Sequence, residues 1–111
     1  ADYSGSAAGV TVNLLLAAAQ NTVGAGLDTL LAVENVTGSA FADTLTGTAG
    51  DNVMNGGAGN DGINAGAGND TVEGGAGNDV LDGSVGLDTV SYASATAGVT
   101  VSLLVAGAQD T

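Results

Sequence analysis

Six side chains set nine residues apart could do chemistry in this sequence: Asp43, Asn52, Asp61, Asp70, Asp79 and Asp88. Five are carboxylates, which can transfer a proton, attack an electrophile or coordinate a hard cation. The other residue types decide among these. The chain contains no His, Lys, Arg or Cys, so no carboxylate has a base, nucleophile or cationic side chain to work with, and no enzyme is expected within it. The same absence removes the thiolate and imidazole ligands that zinc and other transition metals need. All-oxygen chemistry remains, meaning calcium or magnesium.

The charge balance restricts partners in the same way. Twelve Asp and Glu face no Lys or Arg, for a net charge of −12, so the counter-charge must come from outside. Nucleic acid is excluded as a partner, because phosphate binding rests on Lys and Arg, and so is an anionic membrane surface. Membrane insertion is not expected either. The longest apolar run, Leu14 to Ala19, falls far short of the roughly 18 residues of a span. A solvated acidic tail is a poor reading, since apolar residues make up 44% of the chain and charged ones 11%.

The elements that must position these carboxylates are legible as repeats. From Gly38 the chain divides into GSAFADTLT, GTAGDNVMN, GGAGNDGIN, AGAGNDTVE, GGAGNDVLD and GSVGLDTVS, ending at Ser91. The sixth position is Asp or Asn, and the eighth is apolar: Leu45, Met54, Ile63, Val72, Leu81 and Val90. One apolar residue in nine cannot make an amphipathic helix, and the glycines disfavour helix further. Each unit reads as a Gly-rich turn followed by a three-residue strand such as Thr71-Val72-Glu73. Two units then make one coil of a flattened, right-handed parallel β-roll, an all-β solenoid. Leu45, Ile63 and Leu81 belong to one sheet, and Met54, Val72 and Val90 to the other.

Stacking decides the chemistry. Strands lie about 4.8 Å apart, so Asp43, Asp61 and Asp79 fall in one column and Asn52, Asp70 and Asp88 in another. Unit charges about 5 Å apart repel by roughly 0.8 kcal/mol in water and about 3 kcal/mol at an effective dielectric of 20. Summed along the columns, that rivals a whole domain's stability of about 5–15 kcal/mol. A divalent cation between successive carboxylates reverses the sign. Calcium suits Gly-rich turns, which offer free carbonyls toward its six to eight oxygens; magnesium demands a smaller, stricter octahedron.

A longer period overlies the short one. Residues 1–22 align without gaps to 90–111, with twelve identities that include Tyr3/Tyr92 and Gln20/Gln109. The expected organisation is residues 1–22 as the strand-bearing start of an 89-residue unit and 23–37 as degenerate entry coils, with VGAGLDTLL at Val23 a distant nonapeptide. Residues 38–91 form the roll, and 92–111 begin the next unit. Val10–Leu16 and Val99–Val105 read as broader strands flanking the roll, and Ala32–Thr37 as a break in the nine-residue phase. The start at Ala1 reads as that of a mature or excised segment, and the whole as an excerpt from a larger tandem array, with neighbouring copies of the same repeat as end-to-end partners.

At Gly56-Gly57-Ala58-Gly59-Asn60-Asp61 and Gly74-Gly75-Ala76-Gly77-Asn78-Asp79 the sequence resembles the repeats-in-toxin (RTX) nonapeptide family, G-G-x-G-x-D-x-U-x, a calcium-binding β-helix repeat. The resemblance is close over residues 56–82 and covers about half the chain clearly. It implies several calcium ions held between stacked turns. The carboxylate ligands would be Asp61, Asp70, Asp79 and Asp88, with Asp43, and the carbonyls would come from Gly57, Gly59, Gly66, Gly68, Gly75 and Gly77. Asn52 stands in a ligand position but implies a weaker or rearranged site, while Phe41 and Ala65 replace glycines, so the units near residues 38–46 and 83–91 are expected to bind poorly or to serve as boundaries. The resemblance also implies export, to the cell surface or medium, by a type I system of a Gram-negative bacterium.

Other features carry blander readings. Asp2, Glu73, Asp82 and Asp110 read as surface charges, Asp28 as either a ligand or a turn residue, and Glu34 as an extra ligand at most. Gly57 to Gly62 matches G-x-G-x-x-G but lacks the following helix a dinucleotide site needs. Asn35-Val-Thr37 and Asn69-Asp-Thr71 are formal glycosylation sequons expected to stay unused. Tyr3 and Tyr92 read as strand-end packing. The expected function is a calcium-binding structural or adhesive extracellular module that rigidifies on calcium, within an array, surface layer, adhesin or filament. The alternative is a secretion or folding-assist roll of an enzyme or toxin. Ice or glycan binding is disfavoured, since the turn positions that would present hydroxyls are Ala49, Ala58, Ala67 and Ala76.

Overall fold

The computed structural model describes residues 1–102, and among them there are strands and turns but no helix. The strands are short, as one apolar residue per nonapeptide requires. In chain order they are β1 (Thr11–Asn13), β2 (Gln20–Asn21), β3 (Leu27–Asp28), β4 (Asn35–Thr37), β5 (Thr44–Thr46), β6 (Val53–Ala58), β7 (Gly62–Asn64), β8 (Thr71–Ala76), β9 (Asp79–Asp82), β10 (Thr89–Ser91) and β11 (Val99–Ser102). Successive strands from β4 alternate between two parallel sheets, ordered β1-β5-β7-β9-β11 and β10-β8-β6-β4. The fold is a β-solenoid, as the nonapeptide spacing predicts. Its thinnest dimension, 15 Å, suits two sheets packed about 10 Å apart.

The eighth-position residues fill the space between the sheets in the expected columns. Leu45, Ile63 and Leu81 pair in register along one sheet, and Met54, Val72 and Val90 along the other. All six are buried. Val36 extends the second column below Met54, so Asn35–Thr37 at the end of this segment is already in phase with the roll and the break lies before it. Val12 extends the first column below Leu45, and Val101 extends it above Leu81.

The stretch Val10–Leu16 is not a broad flanking strand. It contributes the three-residue β1, one rung of the first sheet, and then turns away. Asn13 ends the strand locally. Its Oδ1 accepts the Leu15 N–H at 2.9 Å, an Asx turn, while the Gln20 amide accepts from Asn13 N–H at 2.8 Å and donates to its carbonyl at 2.9 Å. Of Val99–Val105, residues 99–102 likewise form a rung, β11, and 103–105 lie outside the described residues. Between Leu14 and Val33 the chain leaves the roll. The degenerate unit at Val23 adds no rung; its β3 pairs antiparallel with β2.

Candidate metal centre

The turns lie where the strands cross from one sheet to the other, and stacking the strands stacks the sixth-position side chains. Asp43 N–H donates to Asp61 Oδ1 at 2.9 Å, and Asp61 N–H to Asp79 Oδ1 at 3.0 Å. In the second column Asn52 N–H donates to Asp70 Oδ1 at 2.8 Å, and Asp70 N–H to Asp88 Oδ1 at 3.1 Å. Each carboxylate thus uses one oxygen to tie its turn to the turn one coil earlier. These carboxylates are buried, with Asp61 2% exposed and Asp88 0%.

The second oxygen has no such use. Among the described residues, the buried side-chain atoms lacking any hydrogen-bond partner are Asp61 Oδ2, Asp70 Oδ2, Asp79 Oδ2 and Asp88 Oδ2. A buried carboxylate oxygen without a donor is costly to leave unmade, and four in equivalent positions mark a shared requirement. Beside each Oδ2 runs the first residue of the nonapeptide. A Cβ on Gly56 would stand 2.3 Å from Asp61 Oδ2 and 2.5 Å from the Gly74 carbonyl oxygen. The corresponding points at Gly74 and Gly83 lie 2.4 Å from Asp79 Oδ2 and 2.5 Å from Asp88 Oδ2. Glycine at this position therefore keeps open a narrow cradle bounded by the carboxylate oxygen and, at Gly56, by the carbonyl of the next coil; any side chain there would collide with both. Among the described residues no three carboxylates gather at one point, so an ion here would draw its remaining oxygens from backbone carbonyls, Asn side chains or water. The donor set is hard and all-oxygen, and it fits calcium.

Asp43 and Asn52 stand at the feet of the same columns with different surroundings. Asp43 Oδ2 accepts the Ser39 N–H at 2.6 Å, and its Oδ1 accepts the Ser39 hydroxyl and the Val10 N–H, each at 2.7 Å. Asn52 Oδ1 accepts the Thr48 N–H at 2.7 Å and its hydroxyl at 3.2 Å, and Asn52 Nδ2 donates to the Glu34 carbonyl at 2.7 Å. The cause lies at the second position of the repeat. Gly57, Gly66 and Gly75 hold φ near +100° there, and Ser84 holds +61°, whereas Ser39 and Thr48 are not in this left-handed region. A branched Thr resists positive φ. In these two units the second-position N–H turns toward the sixth-position side chain and satisfies it.

The six glycines expected to lend carbonyls do a steric task that is visible directly. A Cβ on Gly75 would stand 1.9 Å from the Gly57 carbonyl oxygen, and one on Gly77 1.7 Å from that of Gly59. Gly57 and Gly66 face Ser39 and Thr48 in the same manner, and Gly59 and Gly68 face the backbone at Phe41 and Gly50. Second- and fourth-position glycines therefore let one turn rest on another. Sequence reading missed two further contributors. The first-position carbonyls of Ala65 and Gly74 face the cradles at Gly47 and Gly56. The fifth-position side chains form an outer ladder, with Asn60 Oδ1 accepting Asn78 N–H at 2.9 Å and Asp51 Oδ1 accepting Asn69 N–H at 2.8 Å. The recurrence of Asn60, Asn69 and Asn78 at one repeat position was the available signal.

Burial pushes Asp61 up to about 6 from the usual 3.8; neighbouring Asp43 and Asp79 push the same way, against the hydrogen bond from Asp43 N–H. Burial also pushes Asp70 up to about 6, aided by Asp88 and Asp51 and opposed by the bond from Asn52 N–H. Asp28 sits apart from both columns, its Oδ2 accepting the Tyr3 hydroxyl at 3.1 Å and the Thr22 hydroxyl at 2.9 Å. Burial, then Asp28, raises Tyr3 to about 12. Asp2 and Asp82 accept nearby backbone N–H groups of Ser4 and Ser84, Glu73 lies near the surface and Glu34 is exposed, and Asp110 lies outside the described residues.

A parallel solenoid whose Gly-rich turns bring buried, half-satisfied carboxylates into register defines a calcium-binding β-roll. A family model for the RTX calcium-binding nonapeptide repeat, in four copies, matches residues 37–72 and 63–90. Residues 37–90 belong to that family. Searches of curated proteins and of solved structures gave no match.

Proposed function

We propose that this chain is a structural module of an extracellular protein, ordered by calcium through Asp61, Asp70, Asp79 and Asp88. The observation that carries this reading is the set of four buried Oδ2 atoms without donors in a chain that has no cationic side chain. The carbonyl oxygens completing each site come from the stacked turns, at Gly57, Gly59, Gly66, Gly68, Gly75 and Gly77, with Ala65 and Gly74 beside the cradles. Asp43 and Asn52 end the ladder rather than extend it, because Ser39 and Thr48 already supply their donors.

Bound calcium supplies the divalent charge that the columns lack. The chain's part is to hold Oδ1 in the hydrogen-bonded ladder and Oδ2 toward an open cradle. Sites of extracellular modules bind at around 10⁻⁴–10⁻³ M, so the chain is loose where calcium is scarce and rigid outside the cell. The 89-residue period supports a place in a surface array, adhesin or filament above the alternative of a folding-assist tail.

Circular dichroism during calcium titration, with magnesium as control, tests the reading. A transition from coil to β at millimolar calcium and little response to magnesium are expected. A spectrum indifferent to calcium, or an equal response to magnesium, rejects it.

A further inference from the structure

The long period and the sheet register are independent facts, and the structure lets them be compared. Residues 1–13 and 90–102 are copies offset by 89, and the two copies lie at opposite ends of the roll. In the first sheet the in-register column runs Val12, Leu45, Ile63, Leu81, Val101. Val101 is the copy of Val12, so this sheet returns to its starting residue after four rungs. In the second sheet the column runs Asp2, Thr37, Asn55, Glu73, Ser91. Ser91 is the copy of Asp2, and this sheet too returns after four rungs.

Strict alternation makes both sheets gain the same number of rungs, but nothing in the nonapeptides requires each column to end, residue for residue, on the copy of the residue with which it began. The half-coils from Val36 to Val90 are nine residues each, but the step from Val12 to Val36 carries the whole excursion that leaves the roll. Had either column ended a residue or more away from the copy, a following unit would meet a sheared surface. Instead the edge on which a following unit must build, β11 with β10 beside it, is the edge from which this unit itself builds. The ends of the first carboxylate column agree as well. Val10 N–H closes it below by donating to Asp43 Oδ1 at 2.7 Å, and Val99, the copy of Val10, pairs with Asp79 above.

We propose that a second copy of the 89-residue unit, following in the same chain, stacks on β10 and β11 in register, so that tandem units form one uninterrupted solenoid that advances four rungs, about 19 Å, per unit. Joining the units removes the open sheet edges that each would expose alone, and repeat arrays then need caps only at their two extremities. The excursion from Leu14 to Val33 recurs along one edge at the same interval. This inference rests on the calcium-ordered roll proposed above.

The test is a chain of two periods, residues 1–111 followed by residues 23–111, which keeps β10 and β11 at the junction, compared in saturating calcium with the one-period chain. Small-angle scattering should show a rigid particle lengthened by about 19 Å along the roll. Spin labels at Val80→Cys of the first period and at the second period's equivalent of Thr44 lie on either side of the shared rung, since Thr100 pairs with Val80 and its copy Thr11 pairs with Thr44, and they should be two strand spacings, about 10 Å, apart. Two separate masses joined by a flexible segment, or labels well beyond that separation, would overturn the stacking while leaving the calcium reading intact. Failure of the one-period chain itself to form β-structure with calcium would overturn both.

Discussion

The replacement Asp61→Asn separates a carboxylate that stabilises by its hydrogen bond from one that is an uncompensated charge awaiting a cation. Asn keeps an oxygen to accept Asp43 N–H, and Asn52 shows that an amide is tolerated at the sixth position. What it removes is the charge. Burial raises Asp61 from 3.8 to about 6, a shift of about two pH units, which corresponds to about 3 kcal/mol against the ionised roll at pH 7.5. That is an upper figure, because the turns lie at the edge of a narrow roll and water screens part of it. In chelator the variant should therefore be more stable than the parent by up to about 3 kcal/mol and fold at a lower concentration of a protecting osmolyte. In calcium the order should reverse. An ion held at about a hundred times its dissociation constant contributes about 2.7 kcal/mol, and its loss should lower the melting temperature by on the order of 10 °C for a domain of this size. Circular dichroism reads both arms. Equal destabilisation in chelator and in calcium would show that Asp61 serves as an ordinary hydrogen-bond partner, and the argument from unsatisfied oxygens would fail.

Gly75→Ala should prevent the turns from stacking, since its Cβ would stand 1.9 Å from the Gly57 carbonyl oxygen at a φ of +99°; a loss of 3 kcal/mol or more, of order of the large single-site effects, is expected in chemical denaturation with calcium present. Ala65→Gly should tighten calcium binding in the second column several-fold by calorimetry, because Ala65 places a methyl where Gly56, Gly74 and Gly83 keep the cradle open; unchanged affinity would dissociate the cradle from the ion. Asp61 and Asp70, raised to about 6 when folded, hold protons that the unfolded chain releases near 4. Their contribution is fully present below about pH 4 and is lost as pH rises through 6. The metal-free roll should accordingly form more readily at pH 4.5 than at 7.5, and a chelator spectrum independent of pH over that range would contradict the burial of these carboxylates.

The roll was legible because its period carries both of its constraints. One apolar residue in nine names the rungs, and Asp at a fixed offset names the columns, so Leu45, Ile63 and Leu81 could be assigned to one sheet and Asp61 and Asp79 to one column before any coordinates. The outer parts were less legible, for physical reasons. Val10–Leu16 alternates like a strand, yet a side-chain bond from Asn13 to the Leu15 N–H ends it after three residues, and such local competition leaves no trace in hydrophobic period. Ala32–Thr37 lacks glycine and so reads as out of phase, although Val36 lies nine residues before Leu45; the turn chemistry changed while the rung did not. The difference between Asp43 and Asp61 was legible only in part: Phe41 marks the first unit as a boundary, but not the reason its carboxylate is satisfied. Both are sixth-position acids, and only the backbone angle at Ser39 against Gly57 tells which receives donors from its own turn.

That difference gives the roll a division of labour. A ladder held by cations alone has no stable end, because the last carboxylate in a column would share its ion with nothing. Here the columns begin on Asp43 and Asn52, where an N–H and a hydroxyl from the same nonapeptide occupy both oxygens of Asp43 and the single oxygen of Asn52, and where Asn52 Nδ2 reaches the Glu34 carbonyl with the partial positive charge an ion would otherwise bring. Val12, Leu45, Val36 and Met54 pack beneath and between these turns. The metal-independent coil can thus exist before any calcium binds and present one finished edge on which β7, β8 and their turns assemble. Loop closure and turn ordering are the unfavourable steps in building a solenoid. A preformed coil confines that cost to one nonapeptide at a time, and each added turn brings the first-position carbonyl that faces the cradle of the turn one coil earlier, as Gly74 faces Gly56. The expected outcome is calcium-dependent growth from this coil: in chelator, amide-exchange protection should survive at β4 and β5 and be lost at β7 to β10, and uniform loss over all of these strands would refute it.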